Sequence, residues 1–318
     1  MNVVTVPWGW YADDINSKLD FDEFKSSSLE EALFIGISCT EEPTVIEYSK
    51  NFPRTVYINL EHPCTLYGPK NKVGLDSLQQ QTIFNEVYTI CPYTAKWFNG
   101  LDLGTKFYAM PYPHNLAYNV YHDSEKHYDV AYCGLIHSDE IASYIEAMKV
   151  HKYFFSTIAP YNRVPSVNYL ATHNNIPNVE KWKILATTRS SVIQNNLYLN
   201  QDQIEKIKSL PNWQDNEAFS HVDTGLLPQL KSRTVESAIC KSLMLVKKDP
   251  WNVIEYWFKP NEDFVYFEDA ADLDKKITEI KNNWSDYEPM VESAYKKVVE
   301  KYNTKYIFEK IKNGEPIE

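Results

Sequence analysis

The chain has 318 residues, enough for two domains of ordinary size, each with its own core. Charged residues make up 24% and hydrophobic residues 43%, the balance of a globular protein in water. The formal net charge of −11 excludes a broad phosphate-neutralising surface, and with it non-specific nucleic-acid binding, while a local basic groove stays open.

Short apolar, β-branched or aromatic runs then recur along the chain. VVTV (3–6), ALFIGIS (32–38), TVYINL (55–60), EVYTIC (86–91) and KFYAMPY (106–112) read as strands, and PYTAKWF (92–98) as a helix after the fourth. The polar stretch PYPHNLAYNVYHDSEKH, without periodicity, reads as a crossing between two halves, with His114 as a hinge residue. A second series follows: YDVAYCGLI (128–136) as strand, SDEIASYIEAMKV (138–150) as helix with Ser138 or Asp139 as cap, and KYFFSTI (152–158) as strand. EKWKILATT (180–188) reads as helix, RSSVIQNNLYL (189–199) as one strand, the segment from Pro228 as helix, and SLMLV (242–246) and FVYF (264–267) as strands. ADLDKKITEIKNNW and EPMVESAYKKVVEKYNTKYIFEKI read as terminal helices, with Met290, Ala294, Val298 and Tyr302 at helical spacing. Strands alternating with helices imply an open α/β sheet, built twice. The expected plan is an N-terminal Rossmann-like domain (1–115), a crossing (116–127), a C-terminal Rossmann-like domain (128–295), and a final helix (296–318) that can pack back on the first.

The stretch PQLKSRTVESAICKSLMLV (228–246) carries the sharpest question. On a helix starting near Pro228, Leu227, Leu230, Thr234, Val235, Ala238 and Ile239 share one face, while Arg233 and Glu236, three apart, are neighbours on another. They are either an ion pair on a solvated face or part of a nucleotide site. For the latter, Arg forks onto a diphosphate and a carboxylate accepts ribose hydroxyls.

The run LKSRTVESAICKSLMLVKKDPWNVIEYWFKPNEDFVYFEDAADLDKKI (230–277), continued by SAYKKVVEKYNTKYIFEKI, resembles GT-B glycosyltransferases of the group 1 (family-4-like) kind. That resemblance implies the GT-B fold, two Rossmann-like domains facing each other across a cleft and closed by C-terminal helices. It implies a nucleotide-sugar donor, with Glu236 on its ribose and Arg233 or Lys231 on its diphosphate, and a glycan or other hydroxyl acceptor. Retaining members carry two glutamates with seven residues between them. Glu236 matches the second, but Pro228 stands where the first belongs, which puts the retaining mechanism in doubt. Glu255, in DPWNVIEYW, is either a partial substitute or a helix-start acid.

Other residues are candidates from position alone. Glu61 and His62, in NLEHPCTLYG after the strand TVYIN, fall where open α/β sheets place ligands, and such a pair can take a proton from an acceptor hydroxyl; they are equally well turn residues before Pro63. In CGLIHSDE, Gly134 and His137 precede a helix start whose backbone N–H groups can hold a phosphate, or simply a cap. Arg189 either faces the diphosphate or sits at a helix C-terminus, and Asn195 and Asn196 are candidate polar lining. No metal or other cofactor is expected: Asp13–Asp14 lacks the DxD spacing, and Asp272–Leu273–Asp274 has it at a helix start.

The five cysteines (39, 64, 91, 133 and 240) form no CxxC and suit a reducing cytoplasm. The start MNVVTVPWGWYADD shows no signal-peptide pattern, and no apolar run is long enough to span a membrane. Two further readings stand beside the leading one. One is a phage-type glycosyltransferase acting on modified DNA bases, which the acidic charge disfavours. The other is an inactive GT-B-like binding protein, supported by the proline at 228.

Overall fold

The computed structural model describes residues 2–7, 32–37, 47, 49–60, 82–116, 125–210 and 212–317. In chain order, β1 (Asn2–Pro7), β2 (Ala32–Ile37), β3 (Arg54–Asn59) and β4 (Glu86–Thr89) lead to α1 (Pro92–Gly100) and β5 (Lys106–Ala109). Next come β6 (Tyr128–Cys133), α2 (Asp139–Met148), β7 (Tyr153–Thr157), β8 (His173–Asn174), α3 (Asn178–Ala186), β9 (Thr188–Ile193) and β10 (Asn196–Tyr198). Then follow α4 (Gln201–Lys208), β11 (Leu226–Pro228), α5 (Ser232–Ile239), β12 (Leu243–Lys247), β13 (Phe264–Phe267), α6 (Ala270–Asn282), α7 (Trp284–Lys301) and α8 (Thr304–Asn313).

The chain divides into two compact units. The first comprises Met1–Asn115, Leu199–Leu230 and Tyr302–Glu318; the second comprises Leu116–Tyr198 and Lys231–Lys301. The stretch Leu199–Leu230 therefore belongs with the N-terminal sheet, although strand counting along the sequence assigns it to the second half.

In the first unit, β1 to β5 form a parallel sheet in sequential order. Val56, Tyr57, Ile58, Val87 and Tyr88 are all buried, the near-continuous apolar run of a strand covered on both faces. α8 joins this unit through Ile307, Phe308 and Ile311, which are buried along one side. Arg54 fixes its end: the guanidinium forks onto Glu86 at 2.6 and 2.7 Å and donates to the carbonyls of Ile311 and Lys312 at 2.7 and 2.9 Å. Gly314, at φ 70°, turns the chain out of the helix where a side chain would be strained. His114 is buried, and its backbone pairs with Tyr302 and Thr304 within the same unit.

In the second unit, six parallel strands run in the order β13-β12-β9-β6-β7-β8. The chain builds outward from β6 through β7 to β8, then returns to β9 and builds outward the other way. The strand order thus reverses between β6 and β9, and open α/β sheets bind ligands beyond the carboxyl ends of the strands at such a reversal. Val130, Tyr132, Ile141, Ile145, Leu245 and Ile277 belong to the core that packs α2 and α6 on this sheet.

Two elements differ from their sequence reading, and α4 and β8 are additional to it. Pro228 does not open a helix: it ends β11 in the first unit, and α5 starts at Ser232 after Lys231 in extended backbone. RSSVIQNNLYL is two strands, because Asn195 is buried with its side chain turned to the start of α5, which interrupts the ladder. At α6, Asp269 is the cap, accepting from Asp272 N–H, while Asp272 and Asp274 lie in the first turns.

Candidate active site

α5 is short, and Thr234 to Ile239 are all buried, so it has no solvated face over that span. Its start is held from another element. The Asn195 side-chain oxygen accepts from the backbone N–H of Lys231 at 3.0 Å and from the Thr234 hydroxyl at 3.3 Å. Asn195 follows β9 at its carboxyl end, so the reversal point of the sheet and the positive end of α5 are tied together.

Glu236 is 2% exposed, a carboxylate deep in the unit. It does not pair with Arg233, its neighbour on the helix. Its oxygens lie 3.0 and 2.9 Å from the ammonium of Lys181 on α3. A buried charge demands such a partner, since desolvation costs several kcal/mol per ion. Lys181 was not singled out from the sequence. The helix around it is legible, but its partner lies 55 residues away, and no local pattern marks it.

Arg233 lies instead over the ring of Tyr132, with its guanidinium carbon 5.0 Å from the ring centroid. Its other neighbour is Gly134. A Cβ there would meet Arg233 Nη2 at 2.2 Å and Cζ at 2.5 Å, so the guanidinium occupies the space of the absent side chain. The expected phosphate-holding amide is a different matter. Gly134 N–H donates to Ser156 at 2.9 Å, Ile136 N–H to the Asn162 side chain at 2.8 Å, and Ile141 N–H to Ser138. These amides are spent inside the protein, and Gly134 contributes room for a cation.

His137 sits just beyond, its ring stacked on Tyr198 at 6.3 Å. Burial, then the charges of Lys231, Arg163 and Arg233, push its pKa down to about 4. It is neutral at pH 7, with a buried Nδ1 that lacks a hydrogen-bond partner. Burial likewise pushes the Cys133 thiol up to about 12, so it is no nucleophile.

Arg189 is elsewhere. It stands near the amino end of β9, where its Nη1 lies 3.2 Å from Asp129, whereas Gly134 and Asn195 follow the carboxyl ends. At ~3.3 Å per strand residue, this separates Arg189 from Arg233's surroundings by on the order of 15 Å. Glu255 is exposed in a short turn after β12 and accepts from the Tyr266 hydroxyl at 2.9 Å. Glu61 and His62 lie outside the described residues. Among the described residues, no group of three or more His, Cys, Asp or Glu gathers as metal ligands, and no helix is long and apolar enough to cross a membrane.

The fold that carries these residues is similar to that of known proteins. Residues 176–313 match a family model described as glycosyl transferase-like. The structure of a point mutant of Staphylococcus aureus TarM, in a complex with fondaparinux, α-GlcNAc-glycerol and UDP, superposes with a TM-score of 0.55 at 12% identity, over 89% of this chain and 55% of TarM. The fold is that of the GT-B glycosyltransferases. Sucrose-phosphate synthase from Thermosynechococcus elongatus (TM-score 0.56, 11% identity, 88% of this chain and 72% of that one) shares this GT-B fold. So does Anabaena HepE in complex with UDP and glucose (0.58, 10%, 89% and 77%). The chain thus spans about half the length of TarM. No curated protein matches the sequence. Within the GT-B frame, the matched segment begins just before α3 and ends with α8, so it contains Lys181, Lys231, Arg233 and Glu236.

Proposed function

We propose that the chain is a nucleotide-sugar-dependent glycosyltransferase whose donor site is built on the second unit. The observation that carries this is the set of Glu236, Lys181 and Arg233 gathered at the reversal point of a GT-B sheet, with the start of α5 beside it. Glu236 accepts the ribose hydroxyls, with Lys181 fixing its orientation. Arg233, Lys231 and the first-turn amides of α5 take the diphosphate, whose charge grows as the sugar leaves. The cations and the helix end supply that stabilisation, so no metal is assigned to the reaction. TarM and HepE are both described with UDP bound, which favours a uridine nucleotide.

The acceptor in this reading is a glycan or another hydroxyl compound, with Glu61 and His62 retained as its acid–base pair. The free thiols of Cys91, Cys133 and Cys240 fit a reducing compartment, and we place the protein in the cytoplasm.

The test is to titrate UDP, GDP, ADP, CMP and dTDP against the melting temperature, with Glu236→Gln alongside, and to assay turnover of the matching nucleotide sugar. At one hundred times its Kd, a ligand stabilises by about 2.7 kcal/mol. UDP is expected to raise the wild-type melting temperature and to do so far less in the variant. A chain that responds to none of the five and turns over no sugar nucleotide is a binding protein on an inherited fold.

A further inference from the structure

A second depression lies wholly within the first unit, between α1 and the turn before β11. α1 presents Tyr93, Lys96, Trp97 and Gly100 to it, residues three or four apart and therefore on one helix face. The opposite wall is the segment Asn212–Glu217. The cavity measures about 390 Å³, at the small end of the range for small-molecule sites.

Three features show that the wall is built. The half-buried indole of Trp97 is held edge-on by Phe219, with centroids 4.9 Å apart, and tilted against Phe98 at 4.8 Å. Asn216, only 5% exposed, uses its side-chain oxygen to accept from Ala218 N–H at 3.0 Å. Its other end, Nδ2, is buried and has no hydrogen-bond partner. A buried amide donor left unmade costs about 1–3 kcal/mol, and native structures keep few of them. At the rim, Asp215 is exposed, and Glu217 lies 4.0 Å from the ammonium of Lys96 with both side chains mostly in water.

The chemistry of this wall selects an occupant. The Asn216 donor needs an acceptor lone pair, which a cationic peptide side chain lacks. A phosphate would supply one but would meet the carboxylates of Asp215 and Glu217. A neutral sugar satisfies every element. Its ring or acetamido oxygens accept from Asn216, its hydroxyls donate to the two carboxylates, and its apolar C–H face lies on the aromatic rings. We propose that this pocket is a saccharide-binding subsite, separate from the donor residues, that holds one or two rings of a neutral glycan. It requires no catalysis and stands whether or not the donor reading does.

Saturation-transfer NMR with a panel of neutral mono-, di- and trisaccharides, including N-acetylglucosamine and glucose oligomers, tests it on the full chain. At least one sugar is expected to give a saturable signal that Trp97→Ala abolishes. Trp97 also packs on Phe219, so Asn216→Asp serves as the second variant. It keeps the oxygen that caps Ala218 and replaces the orphan donor with an acceptor, and is expected to weaken the sugar about tenfold, the value of one hydrogen bond. UDP-induced stabilisation is expected to survive both changes, which separates this site from the donor site. Silence from the whole panel at millimolar concentration overturns the proposal. So does sugar binding untouched by both variants, or displacement of the sugar by a lysine-rich peptide.

Discussion

Arg233 owes its position to a side chain that is not there. Gly134 leaves the space in which the guanidinium lies against the backbone and over Tyr132, and a methyl group would bring Nη2 to 2.2 Å. The atom in the way is the far end of a flexible side chain, but Gly134 also sits at φ 158°, where side chains are strained, so Gly134→Ala is expected to move Arg233 and to cost roughly 1–3 kcal/mol of stability. If Arg233 carries the diphosphate, losing one or two charge-assisted hydrogen bonds weakens UDP by roughly ten- to a hundredfold while uridine binds as before. Calorimetric titration of both ligands checks this, and an equal loss for uridine would move Arg233 off the phosphates. Arg233 also shows what a sequence hides. Arg233 and Glu236 are conspicuous at three apart, and the natural inference is that they pair. The buried carboxylate takes Lys181 across from α3, and the arginine lies over Tyr132 instead.

Among the elements of the second sheet, the partly buried His137 after β6 and the buried Asp249 after β12 titrate in opposite senses. His137 precedes α2, and its pKa falls from 6.5 to about 4 through burial and the nearby cations Lys231, Arg163 and Arg233. Asp249 follows β12 and holds the next turn by accepting from Trp251 N–H at 3.0 Å and Val253 N–H at 3.3 Å. Burial lifts its pKa from 3.8 to about 6 despite those bonds. Between these limits the unfolded chain binds more protons at His137, so that residue's contribution is present above pH 6.5 and lost as pH falls towards 4. At Asp249 the folded state binds more, so acidification from pH 6 to 4 adds stability. Each is worth on the order of 3 kcal/mol and the two largely offset. Asp249→Asn, which keeps the accepting oxygen, is expected to make stability fall more steeply with acid, and His137→Asn to make it fall less. Urea unfolding across that pH range reads the difference from wild type, and curves parallel to wild type would refute it. The longer strands were legible, since each is a short apolar run bounded by polar turns, whereas the two polar residues of β8 and the three residues of β11 gave no such run. The start of α5 was not. Proline suits a helix's first turn, but here it closes a strand, and the helix waits for Lys231, where Asn195 supplies the cap from another element.

On the scale of the whole chain, the two-sheet plan follows from counting strands and helices, but the membership of each unit does not. The chain leaves the second unit at Leu199, returns at Lys231, and leaves again at Tyr302. Local periodicity carries no sign of these passages, because what fixes them is pairing between residues far apart in sequence. Arg54 is the plainest case, joining Glu86 on β4 to the last carbonyls of α8, 257 and 258 residues further on. The Arg54 and Glu86 side chains are only 20% and 14% exposed, so the pair sits where screening is weak and an abandoned carboxylate is costly. Arg54→Ala removes the fork and the carbonyl contacts together, and is expected to cost about 2–4 kcal/mol. The location of the loss is the sharper expectation. If the C-terminal helix is part of the first unit's core, amide exchange should accelerate in β3, β4 and α8 and hold steady in β6, β9 and β12. Hydrogen exchange read by mass spectrometry resolves these segments. Equal acceleration in both sheets would mean that the units unfold as one body, and that the long return of the chain to its first sheet is not an independent fastening.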